Sequence, residues 1–536
     1  MAAQPFIPAT MMTQHPDSAS RYVPVRDEPK EAIDALTPQP IGLGLEEVMV
    51  DYEGKLTPYH QTAEISLGLL ERGQTPGRDV LVTPRVPSAT KETSFHQLMA
   101  LMSVIESNYQ MSLSGGGAIC EVIVPMVETA AELMDVRRRI EDVIELGYKE
   151  FGTARDASAV QVIPLIEEVP ELLGARSMLR KYIDGTKDAG YKVDRLRVML
   201  GRSDSAMAYG MVPSVLAVKT AIADCYRLGR EQDIEIFPIY GGGALPFRGH
   251  VTLGNFDQLV NDYAGVRTVT IQSGLRYDIG GESARQVAIR ARDELEQAEP
   301  LAFSADERDA ITAMIGLFTT AYLESFDSLL PVVIAISDVI PAQRDRLARK
   351  SAVGYARAAA APHKLAAEID NAGVAGLVAQ IKPRKAASLP RAISYTGALY
   401  SIGLPPEFIG TGRGLKAVKD HYGGAGMEML LRFYPGIRAD LARAACYASL
   451  RTSAMHIPKS LLPHLESDLE EIALELGIEP GPVSQDDKRY HVLLETVQPM
   501  LRQLAAGGQE WTGEVADRQL VTEWICRLGK LRGSLG

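Results

Sequence analysis

The chain has 536 residues, 46% of them hydrophobic and 23% charged, with a formal net charge of −12. That length and balance suit a soluble globular protein of two or three domains, or one large barrel with additions. An acidic chain with no Lys/Arg block excludes a broad nucleic-acid surface, the lack of ~18 uninterrupted apolar residues excludes a simple membrane span, and four scattered cysteines (Cys120, Cys225, Cys446, Cys526) exclude a secreted disulfide scaffold.

At the N-terminus no basic stretch precedes an apolar run, and the chain is expected to be cytoplasmic, its cysteines reduced. Eight short β-rich runs follow, at 6–12, 47–51, 79–84, 121–126, 160–166, 196–200, 234–239 and 268–272. Most lead into residues with helical periodicity, as at 129–146 and 212–228. This rhythm predicts an α/β fold, a (β/α)8 TIM barrel over residues 1–300, whose reactive groups come from the C-terminal ends of the strands. Beyond about residue 300 the strands fade, and Ala/Leu/Arg/Glu-rich segments at 306–325, 344–361 and 467–476 predict a large all-helical extension over 301–536, packed on the barrel. Within it, residues 381–414 are rich in Pro and Gly and are expected to supply active-site loops.

The expected strand ends collect polar chemistry. In order they run into Thr13-Gln14-His15-Pro16-Asp17, Asp51-Tyr52-Glu53-Gly54-Lys55, Arg85, Glu128, Glu167, Asp204, the loop from Tyr240 to Gly249, and Arg276. Glu167 and Asp204 lie one βα unit apart, so neighbouring parallel strands present both at one edge; such hard oxygen donors suit Mg²⁺ or Mn²⁺. Each alone also fits a solvated carboxylate, and Asp204 an N-cap. His15, fixed by the following proline, suits a base at the barrel mouth or a structural role. In the seventh loop Gly242 and Gly243 let backbone N–H groups approach an anion with Arg248 close by, or simply form a tight turn. Arg85, Arg248 and Arg391 suit phosphate contacts or surface ion pairs. The glycines at 115–117 fall at the opposite edge and read as a plain loop.

Several of these stretches form known motifs in a known order. Thr-Gln-His-Pro-Asp at 13–17 resembles Thr-Ala-His-Pro-Thr-Glu, and Pro-Leu-Ile-Glu-Glu at 164–168 resembles Pro-Leu-Phe-Glu-Thr. Val-Met-Leu-Gly-Arg-Ser-Asp-Ser at 198–205 is similar to Val-Met-Leu-Gly-Tyr-Ser-Asp-Ser; Arg391-Ala392-Ile393, followed by Gly-Leu-Pro-Pro-Glu-Phe-Ile-Gly at 403–410, resembles Leu-Arg-Ala-Ile-Pro-Trp and its downstream Leu-Pro-Ala-Trp-Leu-Gly. On these residues the chain resembles the short, archaeal-type phosphoenolpyruvate carboxylases over nearly its whole length.

The resemblance implies a carboxy-lyase that forms oxaloacetate and phosphate from phosphoenolpyruvate and bicarbonate, through carboxyphosphate and the enolate of pyruvate. It implies Glu167 and Asp204 as ligands of Mg²⁺ or Mn²⁺, His15, Arg248 and Arg391 as catalytic groups, and a homotetramer. The family's Arg-Pro-Ala-Lys-Arg stretch corresponds to Lys382-Pro383-Arg384-Lys385, so either Lys382 or Arg384 takes the substrate anion. There are departures. The long form's loop His-Gly-Arg-Gly-Gly-Ser-Ile-Gly-Arg-Gly-Gly keeps its second arginine as Arg248, while Tyr240 and Gly242 stand where its first histidine and arginine fall. Arg85 and Arg276 are the candidates to supply the missing phosphate contact. The long form's Asn-Thr-Gly ending is replaced by Gly533-Ser534-Leu535-Gly536. The competing readings are another Mg²⁺-dependent barrel enzyme acting on phosphoenolpyruvate or pyruvate, and a non-catalytic phosphate-sensing scaffold; a phosphotransferase would need a nucleotide site, and the chain has no Walker-type loop.

Overall fold

A computed structural model describes residues 6–113, 118–347, 359–382, 389–507 and 515–536. All eight expected strands form: β1 (Thr10–Thr13), β2 (Glu47–Asp51), β3 (Leu81–Arg85), β4 (Glu121–Val124), β5 (Gln161–Ile166), β6 (Arg195–Gly201), β7 (Glu235–Gly241) and β8 (Thr268–Ile271). They close into a parallel barrel in sequence order, β8 pairing back onto β1. β1 begins later than its expected run, while β6 and β7 each extend to a glycine that faces the barrel mouth.

The two-residue period of a strand sorts the side chains. Met12, Val48, Val82, Val122, Val162, Val198 and Ile271 are buried in the large apolar cluster shared with the surrounding helices. Met11, Met49, Ile123, Ile163, Leu165, Met199 and Ile239 form a separate cluster that fills the barrel. Continued toward the strand N-termini, the inward rhythm carries a polar floor, in which Arg197 donates to Glu47 at 2.6 Å and to Glu121 at 2.8 Å. Continued toward the C-termini, it carries Arg85, Glu167, Gly201, Gly241 and Gln272 to the mouth.

The barrel helices start and stop for local reasons. The helix Ala130–Phe151 opens with a capping box, Thr129 with Glu132, and ends at Gly152, whose φ of 67° is the left-handed conformation that glycine adopts without strain. Beyond the barrel, Ala305–Ser337 is long and apolar enough to cross a membrane by length and composition, yet 61% of its most apolar window is buried. It packs against the barrel helix Met211–Gln232 and against Thr411–Phe433. One apolar cluster runs from the barrel's outer face through Phe318 and Leu329 to Leu430 and Ile525.

Two expectations for the helical region change. The segment 344–361 is not helical where it is described: Arg344 bridges to Val23, and the helix Pro362–Ala367 begins only afterwards, residues 348–358 lying outside the described residues. The physical reason is that two of its arginines are drawn into the barrel mouth. Arg344 pairs with Glu28 and Glu31, and Arg346 with Asp51 at 2.6 Å. Conversely, the Pro/Gly-rich stretch includes a buried helix, Ala392–Ser401, with Arg391 at its N-cap.

Candidate active site

One cavity at the mouth is lined by His15, Glu53, Arg85, Glu167, Asp204, Arg248 and Arg391, with Arg202, Gln272 and Arg346 beside them. Six sequence-expected residues therefore meet in one place, delivered by five strand ends and by the start of the helix Ala392–Ser401.

Glu167 follows β5 directly, and its Oε2 accepts the Met126 N–H at 3.2 Å. Met126 holds a positive φ of 52°, a costly conformation for a side-chain-bearing residue, so the loop after β4 is bent to aim that N–H at the carboxylate. Asp204 lies in the first turn of Ser203–Tyr209, whose N-cap position is taken by Arg202 without a side-chain cap bond. Its side chain lines the cavity instead of capping the helix. Among the described residues no group of three or more His, Cys, Asp or Glu side chains converges as a metal cage. Two carboxylates on adjacent strands make an oxygen-only, open donor set. That composition fits Mg²⁺ or Mn²⁺, which keep sites for water and substrate phosphate, and does not fit a closed structural zinc site.

The arginines differ in how fully they are compensated. Arg85 is gripped by Asp51, through Nε at 2.9 Å and Nη2 at 2.9 Å, and by Glu53 at 2.7 Å. Burial opposes its charge, but Asp51 and Glu53 outweigh that and push its pKa up. Arg346 adds Gln14 and Glu53 carbonyls to its Asp51 pair. Arg248 is 1% exposed, and the Asp17 carboxylate stands 3.7 Å away. Its other partners are Ser203 Oγ at 3.1 Å, Gln272 Oε1 at 2.8 Å and an oxygen of Gly536, the last residue of the sequence, at 2.6 Å. Burial lowers its pKa, partly offset by Asp17 and Asp204. Arg202 is likewise buried, donating to Ser214 Oγ and the Pro246 carbonyl. A buried guanidinium held by neutral acceptors, as Arg202 is, favours an anion within its reach.

His15 sits among these charges. Its Nδ1 is 2.8 Å from Thr13 Oγ1, which fixes the ring and leaves Nε2 for proton transfer. Burial first, then Arg85, Arg248 and Arg346, hold its pKa well below the usual histidine value, with Asp51 opposing. The ring is thus neutral at physiological pH and able to accept a proton.

A family model described as phosphoenolpyruvate carboxylase matches residues 7–536. The chain is 39% identical over 538 residues to the phosphoenolpyruvate carboxylase of Methanopyrus kandleri, covering 99% of this chain and 98% of that one. It is 38% identical over 548 residues to that of Methanosarcina acetivorans, covering 100% of both. At 29% identity it also matches that of Leuconostoc mesenteroides over 92% of this chain and 94% of the other. The chain belongs to the phosphoenolpyruvate carboxylase family.

Against the loop of the long-form phosphoenolpyruvate carboxylases, the seventh loop departs at Tyr240 and Gly242, and the structure shows how those positions are filled. Tyr240 is fully buried; its hydroxyl donates to the Gly249 carbonyl at 2.9 Å and its ring packs on Tyr263. The Gly242 N–H goes to Thr270 Oγ1 at 2.9 Å and the Gly243 N–H to the Arg248 carbonyl at 2.8 Å. Both N–H groups are therefore spent within the fold, and the glycines serve a tight turn in which an added Cβ at either would crowd Tyr240, Gln272 or Arg248. Arg276 is not brought to the cavity either: it donates to Glu31 and to the Thr13 carbonyl, bracing β8 against β1. Lys382 is exposed and absent from the cavity lining, and Arg384 lies outside the described residues. Glu128 is held outside by Lys91 and Lys364.

Sequence reasoning placed Glu53 at a strand end without giving it a role, and missed Arg202, Gln272 and Arg346. Glu53 and Gln272 continue the inward rhythm of β2 and β8, so that signal was present. Arg202 stood inside the motif read for its aspartate. Arg346 arrives from a segment with helical texture, and nothing local marks it.

Proposed function

We propose that the chain catalyses the carboxylation of phosphoenolpyruvate by bicarbonate to oxaloacetate and phosphate, at the barrel mouth, with Mg²⁺ or Mn²⁺ held by Glu167 and Asp204. The single observation that carries this reading is the convergence of those two carboxylates, His15 and three arginines on one cavity, in a chain of this family. A divalent ion bound there supplies positive charge to the phosphate and to the negative charge that develops on the enolate.

The residues of the chain supply the rest. Arg248, Arg391 and Arg85 surround the phosphoryl group while a bicarbonate oxygen bonds to phosphorus and the phosphorus–enol oxygen bond breaks, giving carboxyphosphate and enolate. Positioning and electrostatics supply most of the acceleration in such a transfer. His15, neutral through its burial and its arginine neighbours, accepts the carboxyphosphate proton at Nε2 as CO₂ and phosphate separate. The methylene carbon of the enolate then bonds to CO₂.

The working form in this reading is a cytoplasmic homotetramer, a location supported by four cysteines that all carry free thiols. A coupled assay tests the activity: phosphoenolpyruvate, bicarbonate and Mg²⁺ are supplied, and oxaloacetate is detected by malate dehydrogenase and NADH. NADH oxidation that depends on bicarbonate is expected; none, with phosphoenolpyruvate still bound tightly, would favour a phosphate-sensing scaffold.

A further inference from the structure

The turn that carries Arg248 is tied to the rest of the fold at several points: the Gly242 N–H and carbonyl bond to Thr270 Oγ1, the Pro246 carbonyl accepts from Arg202, and His250 Nδ1 meets Asp440. Within this loop the N–H groups of Gly243, Arg248, Gly249, His250 and Val251 all bond to carbonyls of the loop itself, at 2.8 to 3.1 Å. The Phe247 N–H does not. It donates to Glu407 Oε1 at 2.8 Å, crossing from the barrel to the short 3₁₀ turn Pro406–Phe408 of the helical region. The same oxygen accepts the Tyr400 hydroxyl at 2.7 Å, and the Phe247 ring stacks on Tyr395 at 5.9 Å.

Glu407 is costly to keep there. It is fully buried, its Oε2 has no hydrogen-bond partner among the described residues, and it takes part in no ion pair among them. The ionisable groups that face it are Tyr400, Tyr395, Tyr490 and Asp440, none of them a cation, with Arg532 one layer further out over the Tyr400 ring. A glutamine would make the same two contacts without burying a charge. A buried acid with no counter-ion among the described residues, bonded to the backbone N–H of the residue next to Arg248, calls for a reason beyond packing.

We propose that Glu407 is a positioning residue for Arg248: by gripping the Phe247 N–H it sets where the next residue's guanidinium stands in the cavity, and its charge state sets how firmly. This rests on the carboxylase reading for the role of Arg248. Burial raises the Glu407 carboxyl to about 7, against the Tyr400 and Phe247 bonds and with help from Asp440. Above that pH the carboxylate makes charge-assisted bonds, roughly twice as strong as those of the neutral acid below it. Binding of phosphoenolpyruvate is therefore tightest with Glu407 ionised and loosens as pH falls through neutrality.

The test measures kcat and KM for phosphoenolpyruvate from pH 6 to 9 in wild type, E407A, E407Q and Y400F, with thermal melting of each. E407A is expected to raise KM roughly tenfold, more than it lowers kcat, because one charge-assisted hydrogen bond is lost. E407Q keeps an acceptor for Phe247 and recovers most of that loss at low pH, while the ratio of its KM to that of wild type rises with pH as only the wild type ionises; the ratio cancels the titration of the substrate itself. Y400F removes a bond that favours the ionised acid, and so moves the wild-type transition to higher pH. A pH-independent ratio, or an E407A variant that melts normally with unchanged KM, overturns the proposal; should E407A fail to fold, E407Q and Y400F decide. Wild type that binds phosphoenolpyruvate without turnover refutes the carboxylase reading alone, and calorimetric binding then replaces KM; wild type that does neither overturns both.

Discussion

The floor and the mouth of the barrel are built from the same residue types on the same strands, and they behave in opposite ways. At the floor one arginine, Arg197, faces two glutamates at bonding distance, Glu47 and Glu121. Burial raises the Glu121 carboxyl, with Arg197 opposing. At the mouth five arginines and three carboxylates line one cavity, Asp51 bridges Arg85 and Arg346, and Arg202 leans on neutral acceptors. A closed set of charges makes a plug. A set that turns guanidinium groups and two carboxylates onto an open cavity makes a receptor.

That contrast is broken most completely by removing the carboxylates. Glu167→Ala and Asp204→Ala are each expected to abolish turnover or to raise the Mg²⁺ requirement steeply; Mg²⁺ titrations of initial rate that superimpose on wild type would contradict the assignment. His15→Asn should separate the two halves of the reaction, retaining bicarbonate-dependent phosphate release while losing oxaloacetate. Loss of both products together would contradict that division. Arg248→Ala should cost ~10²–10³ in the rate of oxaloacetate formation, the usual loss on removing a preorganised donor, without a comparable fall in melting temperature.

The floor predicts the reverse pattern. Arg197→Met leaves two buried glutamates without their cation and should cost ~3–5 kcal/mol of folding stability, read by urea denaturation, while kcat/KM of the folded fraction stays near wild type. A variant that keeps its stability but loses catalysis would make the floor part of the site. The smallest effect concerns pH. Because burial and three arginines depress the His15 pKa, the acid limb of activity should lie below the ordinary histidine range. Arg346→Gln removes one depressing charge, so the pKa rises, the ring protonates at higher pH, and the acid limb should move upward; a downward shift would show that Arg346 acts otherwise.

Much of this was legible along the chain because strands impose a short, regular period. The eight β-rich runs, the apolar fill and the placing of Glu167 and Asp204 all follow from local pattern and spacing. What was not legible depended on contacts between remote segments. The texture around Arg344 and Arg346 reads as helix, yet the carboxylates of Glu28, Glu31 and Asp51, some three hundred residues earlier, pull both arginines into an extended path. The seventh-loop glycines carried a composition that suits anion binding, but whether an N–H is free depends on its neighbours, and Thr270 and Arg248 had already taken these two. Arg276 had the right strand end, but Glu31 claims it.

The shared rhythm of floor, fill and mouth limits how such a barrel can diverge. Inserting a single residue within β2 would turn Met49 outward and Val50 inward, and would carry Glu53 away from Arg85 in the same stroke, because a shift of one exchanges the two faces of a strand. Length changes in this chain are therefore tolerable in the connections and ruinous in the staves, and lineages are expected to differ in loop size long before they differ in strand register.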